Sequence, residues 1–337
     1  MICKRKFCFF AAGLAALLAV GCSKENVSAD CIDESPFMLE ISVPESATKV
    51  TQIPEESKVN SLQIYVFREN GALEAYGNAS SNSLKLECLP GKKTVVALAN
   101  APEIKNVLIK DSIDVKISDL QDNSLGSFVM YGSLSTSVTS YTRRISVPVT
   151  RLVARISIKK ITNKLSMSQY ENTAIHIKRM YIMNAAGDFP YGDTRYETGG
   201  KTGSTYAPKK WYNLTKPQEE GDLPSFLNSG ELSDAVASSK LSYEKSHYFY
   251  CYPNPTGTAS SDAHVTRLVI EALINDNIYY YPLDIKGIEN NHTYNINELV
   301  ITRLGSESPE IPVSYSQVTF TVYVNGWQDG SDESVTI

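Results

Sequence analysis

Apolar residues recur at every second position through much of the chain, in runs rich in β-branched and aromatic side chains. This is the mark of strands with one buried face. In FMLEISV, Phe37, Leu39, Ile41 and Val43 share a face, and in SLQIYVF so do Leu62, Ile64 and Val66. KTVVALAN is apolar almost throughout, and SFVMYGSL and RISVPV read as further strands, Pro148 marking an edge or a strand start. PEIKNVLIK (102–110) predicts a short helix, with Pro102 suited to a first helical turn. RLVARISIKKI (151–161) predicts a long strand that opens a second domain.

Between residues 186 and 240 the pattern breaks into Gly, Ser, Tyr and Pro, which predicts an elaborated surface loop region, with SGELSDAVASSK as a short helix inside it. Strands resume at SHYFYCYPNP, RLVIEAL and IYYYPLDI, the last two joined by INDN as a hairpin turn. The closing segment VTFTVYVNGW is patterned most cleanly. Val318, Phe320, Val322 and Val324 share one face, and Thr319, Thr321, Tyr323 and Asn325 the other. The expected class is all-β with a few short helices, arranged as two β-sandwich-like domains in tandem, 37–150 and 151–337.

The N-terminus has a different character. Lys4, Arg5 and Lys6 precede an apolar run from Phe7 to Val20, too short to span a bilayer comfortably. Small residues then lead into Cys22 and a polar stretch. Charged, apolar and small-residue regions in that order make a secretory signal. A cysteine directly after the cut is the acceptor position of bacterial lipoprotein signals. Leu18 stands one place further from the cysteine than the usual pattern has it, with Ala19 in its place. Residues 1–21 are thus expected to be removed, Cys22 to carry lipid, and 22–36 to act as a tether.

Composition narrows the function. At 42% hydrophobic and 20% charged the chain can bury a real core, and a net charge of −5 gives no electrostatic reason to expect nucleic acid as a partner. Cys3 and Cys8 leave with the signal and Cys22 would carry lipid, so Cys31, Cys88 and Cys251 remain, without zinc-ligand spacing. A Cys88–Cys251 bridge and two separate buried thiols both stay open. The histidines (His176, His247, His264, His292) are scattered, and the chain has no HExxH, phosphate loop or GxSxG elbow. SDAH (261–264) and the acidic group Asp329, Asp332 and Glu333 read as polar loops. No catalytic residue, metal or cofactor is expected.

The first and last strands are alike: each presents four apolar side chains at period two, worth roughly 6–12 kcal/mol when buried. After the first strand comes PESATKVTQIPEESK, polar, with two prolines and an early basic residue, Lys49. Exposed loops of this composition are where proteases cut. A cut there would separate lipid, tether and first strand (37–49) from the remainder.

AVGCSKEN, ATKVTQ, VNSLQIYVF, GKKTVVALAN, TRLVARISIKKI, YFYCYPNP and YYYPLDIKGIENNHTYNINELVITRLG followed by VTFTVYVNGW resemble, in order and over nearly the full length, the Bacteroidales fimbrillin family of type V fimbrial subunits. The resemblance implies transthyretin-like domains and a lipoprotein precursor carried to the outer membrane. It implies cleavage by a trypsin-like protease, here at Lys49–Val50. The departing strand is then 37–43 (Phe37, Leu39, Ile41, Val43) and the donor is 318–324 (Val318, Phe320, Val322, Val324), filling the groove of another subunit, head to tail. Relatives from oral species are cut after Arg, whereas this chain offers Lys49.

The competing reading is a surface binding module, an accessory, tip or anchor subunit that recognises glycan or host protein through tyrosines such as those in TRYETGGKTGSTYAPKKWYNL. A closing strand able to act as donor separates a stalk subunit from a tip adhesin.

Overall fold

The computed structural model describes residues 35–44, 53–193, 206–213, 223–255, 264–311, 313 and 317–327. Within them strands dominate. Helical segments are confined to Asp111–Asp114 and the short 3-10 turns Pro54–Ser57, Leu120–Asp122, Tyr191–Asp193 and Ser225–Leu227.

The first half is built on a five-stranded antiparallel sheet, ordered Leu73–Ala79, Leu62–Arg68, Gly91–Ala99, Met130–Val138 and Thr150–Arg151. Its two central strands are buried on both faces, which explains the nearly unbroken apolar run of KTVVALAN. Leu62, Ile64, Val66, Val95, Ala97 and Ala99 face a small core that also holds Phe37, Leu39, Ile41 and Val43. Tyr65, Phe67, Val96 and Leu98 face the opposite way, into a larger core that continues through Ile156 and Phe249. A three-stranded sheet closes the small core, ordered Ser83–Cys88, Phe37–Ser42 and Arg144–Ser146.

The second half pairs two sheets. In one, His292–Ile301 runs parallel to Ala154–Ile158 and Ile161–Asn163 on one side and antiparallel to Val318–Gly326 on the other. In the other, Ile175–Met183, Thr266–Ile274 and Asn277–Ile285 form an antiparallel meander. The INDN turn is as expected: Ile274 pairs with Asn277, and Asn275 and Asp276 have φ of 46° and 61°, the left-handed pair a two-residue hairpin needs. One short pairing, Ile117–Asp119 with Asp188–Pro190, links the halves.

Two expected helices are absent. Residues 102–108 are irregular, and the nearby helix is only Asp111–Asp114. The cause lies on a neighbouring strand. Gln63 Nε2 donates to the carbonyls of Ala101 and Pro102, and its Oε1 accepts from the Ile104 amide. Tyr65 hydroxyl takes the Ile104 carbonyl. These side chains occupy backbone groups that a helix would need. SGELSDAVASSK is likewise not helical; its Val236–Ala237 pairs as an edge strand with His176 and Ile175.

Cys88 and Cys251 are both free thiols and buried. Burial pushes them up to about 11 and about 12, so both stay protonated at neutral pH.

Candidate functional site: the first strand and the closing strand

Phe37–Ser42 lies in the middle of its sheet. It runs antiparallel to Ser83–Cys88 and parallel to Arg144–Ser146, so both of its edges are hydrogen-bonded. Its ends are fastened too: Val43 amide donates to the Asn82 carbonyl at 2.9 Å, and Val147 amide to the Ser42 carbonyl at 2.8 Å. The period-two pattern is realised directly. Phe37, Leu39, Ile41 and Val43 are 9%, 0%, 0% and 1% exposed, whereas Met38 is 53% exposed. Glu40, on the outer face, accepts from Arg144 at 2.7 Å.

After Pro44 the described chain resumes at Ile53 and enters the turn Pro54–Ser57, whose Glu56 is completely buried. Cys22, Lys49 and Val50 lie outside the described residues, as do residues 261–263 of SDAH and Asp329, Asp332 and Glu333.

The closing strand, Val318–Gly326, is docked on its own sheet. Its register against His292–Ile301 runs from Ile301 opposite Val318 to His292 opposite Gly326, with an irregularity between Ile296 and Leu299. Val318 and Val322 are buried in the large core, and Phe320 and Val324 pack against it partly exposed. Its other edge pairs with no strand among the described residues. The two segments singled out by pattern therefore sit in different sheets. The first is central with four buried side chains; the last is an edge strand with two.

The tyrosine-rich stretch offers little stacking surface where it is described. Trp211 and Tyr212 are buried, and Tyr206 donates to Asp188 at 2.8 Å. Many other tyrosines, Tyr65, Tyr131, Tyr250, Tyr252, Tyr281 and Tyr294 among them, are core residues. Among the described residues no group of three or more His, Cys, Asp or Glu is arranged to hold a metal ion.

Residues 39–184 match the family described as Major fimbrial subunit protein (FimA). Along nearly its whole length the chain is 24% identical to the major fimbrium subunit FimA type-2 of Porphyromonas gingivalis, covering 93% of this chain and 94% of that protein. The fold is similar to that of a crystallised fimbrilin from Porphyromonas gingivalis, with a TM-score of 0.60 at 16% identity over 86% of this chain and 96% of that one. It is also similar to that of the C-terminally truncated tip fimbrial protein Mfa3 of Porphyromonas gingivalis, with a TM-score of 0.53 at 11% identity over 87% and 100% of the two chains. The family match over residues 39–184, the relative aligned along nearly its whole length and the shared all-β architecture agree in making this chain similar to the fimbrillins.

Proposed function

We propose that the chain is a structural subunit of a cell-surface fimbria, made as a lipoprotein precursor and polymerised by strand exchange. In this reading Cys22 carries the lipid that holds the precursor at the outer membrane. A trypsin-like protease cuts between Lys49 and Val50, residues 37–49 leave, and the closing strand of another subunit takes their seat. Residues 37–150 and 151–337 then act as tandem sandwich-like domains, one receiving a strand and the other giving one. Assembled subunits contribute to adhesion from the cell surface.

The observation that carries this reading is the seat of the first strand. It is a central strand, and the segment joining it to the rest of the chain contains Lys49. Loss of that strand would leave Ser83–Cys88 and Arg144–Ser146 as two unpaired edges flanking four empty apolar pockets. Such a groove is a template for an added strand. The closing strand has the matching period-two apolar set.

Energetics favour the transfer. At home the closing strand pairs along one edge and half-exposes Phe320 and Val324. In the groove it would pair along both edges and bury all four apolar side chains. Each backbone hydrogen bond adds only about 0.5–1.5 kcal/mol net, so the side chains, at roughly 1.5–3 kcal/mol each, dominate. The contact joins different surfaces of successive subunits, so it does not close on itself and builds a filament.

A synthetic peptide of residues 318–327, offered to the trypsin-cut and to the uncut chain, tests the groove. Binding to the cut chain alone is expected. Equal binding to both, or to neither, would contradict it.

A further inference from the structure

One carboxylate in the core joins the segment that follows the cleavage loop to the end of the closing strand. Glu56 is 0% exposed. Arg155 Nη1 donates to both of its oxygens, at 3.1 and 2.9 Å. Tyr250 hydroxyl donates to Oε1 at 2.7 Å, and the indole nitrogen of Trp327 to Oε2 at 3.2 Å. The Glu56 carbonyl accepts from Arg151 Nε at 2.8 Å.

Trp327, the residue directly after the closing strand, is 2% exposed and enclosed on its faces. The Arg151 guanidinium lies 4.6 Å from its ring centroid and that of Arg155 5.3 Å. Tyr250 stacks on it at 6.0 Å with planes 16° apart. Its own amide donates to the Asn291 carbonyl at 2.8 Å. Burial and the charge of Glu56 raise the Tyr250 hydroxyl above its ordinary value, which keeps it a donor to this carboxylate.

We infer that Glu56 is a latch that holds the closing strand on its own sheet through Trp327, so that donation of the strand requires the Glu56–Trp327 bond to break. The inference rests on the donor-strand reading for its role in assembly, but not for its geometry. Withdrawing Trp327 removes a donor from a buried carboxylate and uncovers two stacked guanidinium groups, a costly change for charges out of water. The closing strand itself is an edge strand with two buried valines and two partly exposed apolar side chains, and this anchor at its end adds to its hold. Glu56 also follows Lys49 by only a few residues. Its grip on Arg151, Arg155 and Tyr250 keeps the new N-terminal segment on the body of the subunit after the cut, so that only the first strand departs.

Hydrogen exchange on the uncut, full-length mature chain tests the latch without any need for polymer. Trp327→Phe keeps an aromatic ring but removes the indole donor. A hydrogen bond to a charged group governs about tenfold or more in an opening equilibrium. The expected result is therefore exchange about tenfold or more faster in residues 318–327, with Ala154–Ile158 and His247–Cys251 unchanged. Wild-type rates in 318–327, or equal acceleration of all three strands, would overturn the latch.

If the variant does not fold, native-state exchange of the wild-type chain in rising urea gives the same decision. The amides of Glu56 and Trp327 should open together, and separate opening would contradict the proposal. Failure of the cut wild-type chain to polymerise, with 318–327 loosened in the variant, would remove the donor reading and leave the latch. Polymerisation of the cut chain with no loosening in the variant would do the reverse.

Discussion

Ile41 lies opposite Leu84 on one neighbouring strand and alongside Ile145 on the other, fully buried between them. It is the middle of the apolar set that fastens the first strand over the five-stranded sheet. Ile41→Ala should destabilise the uncut chain by about 2–5 kcal/mol, the usual range for deleting a buried isoleucine side chain. Denaturant unfolding of the uncut protein reads this. On the proposed strand exchange, the same substitution should leave the assembled, cut form unaffected, since Ile41 would depart with residues 37–49.

The floor of that seat depends on a close backbone crossing. A Cβ placed on Gly132 would stand 2.0 Å from the Pro148 carbonyl oxygen and 2.9 Å from Val149. Neither the strand Met130–Val138 nor residues 147–149, which carry Val147 and Val149 into the same small core, can yield without repacking. Gly132→Ala should cost at least about 1–3 kcal/mol as an overpacking change, seen as a lower urea midpoint. An unchanged midpoint would show that the crossing relaxes freely.

His247 gives the fold a pH dependence. Burial, and then the charge of Lys245, hold its imidazole below the ordinary histidine value, and it bonds the Tyr243 hydroxyl at 2.9 Å. The unfolded chain therefore takes up this proton at a higher pH than the folded one. The contribution is complete above the unfolded value of about 6.5. It is lost as pH falls from there toward the lower folded value, at no more than about 1.4 kcal/mol per pH unit. Unfolding free energies between pH 7.5 and 5 should fall more steeply for the wild type than for His247→Gln. Parallel curves would contradict this.

What was legible in the chain was whatever side-chain alternation determines. The first and closing strands and the strand around Ile64 follow from period-two patterning, the strand around Val95 from its nearly unbroken apolar run, and the hairpin from the INDN turn residues. The helix expected at 102–110 fails because Gln63 and Tyr65, distant in sequence, take its backbone groups, and no local propensity reports that. The Glu56 cluster was equally hidden: a glutamate in PEES reads as solvated until Arg155, Tyr250 and Trp327 converge on it. The one trace was two arginines, Arg151 and Arg155, set in an otherwise apolar strand run. Their burial required an acidic partner somewhere in the fold.

On the proposed strand exchange, Lys49 would set which protease can start assembly. An Arg-specific protease should leave the wild-type loop intact, because the next arginine, Arg68, ends a core strand and pairs with Glu74 at 3.0 Å. Lys49→Arg should make the loop a substrate, read by N-terminal sequencing of the product. Cleavage of the wild-type chain at this loop by such an enzyme would contradict the assignment.

The most direct test is dilute trypsin on the purified soluble precursor, followed by N-terminal sequencing and native gel electrophoresis. The account predicts a new start at Val50 and a ladder of multimers, which is lost in a chain without residues 318–337. Cleavage after Lys49 that leaves only monomers would contradict it.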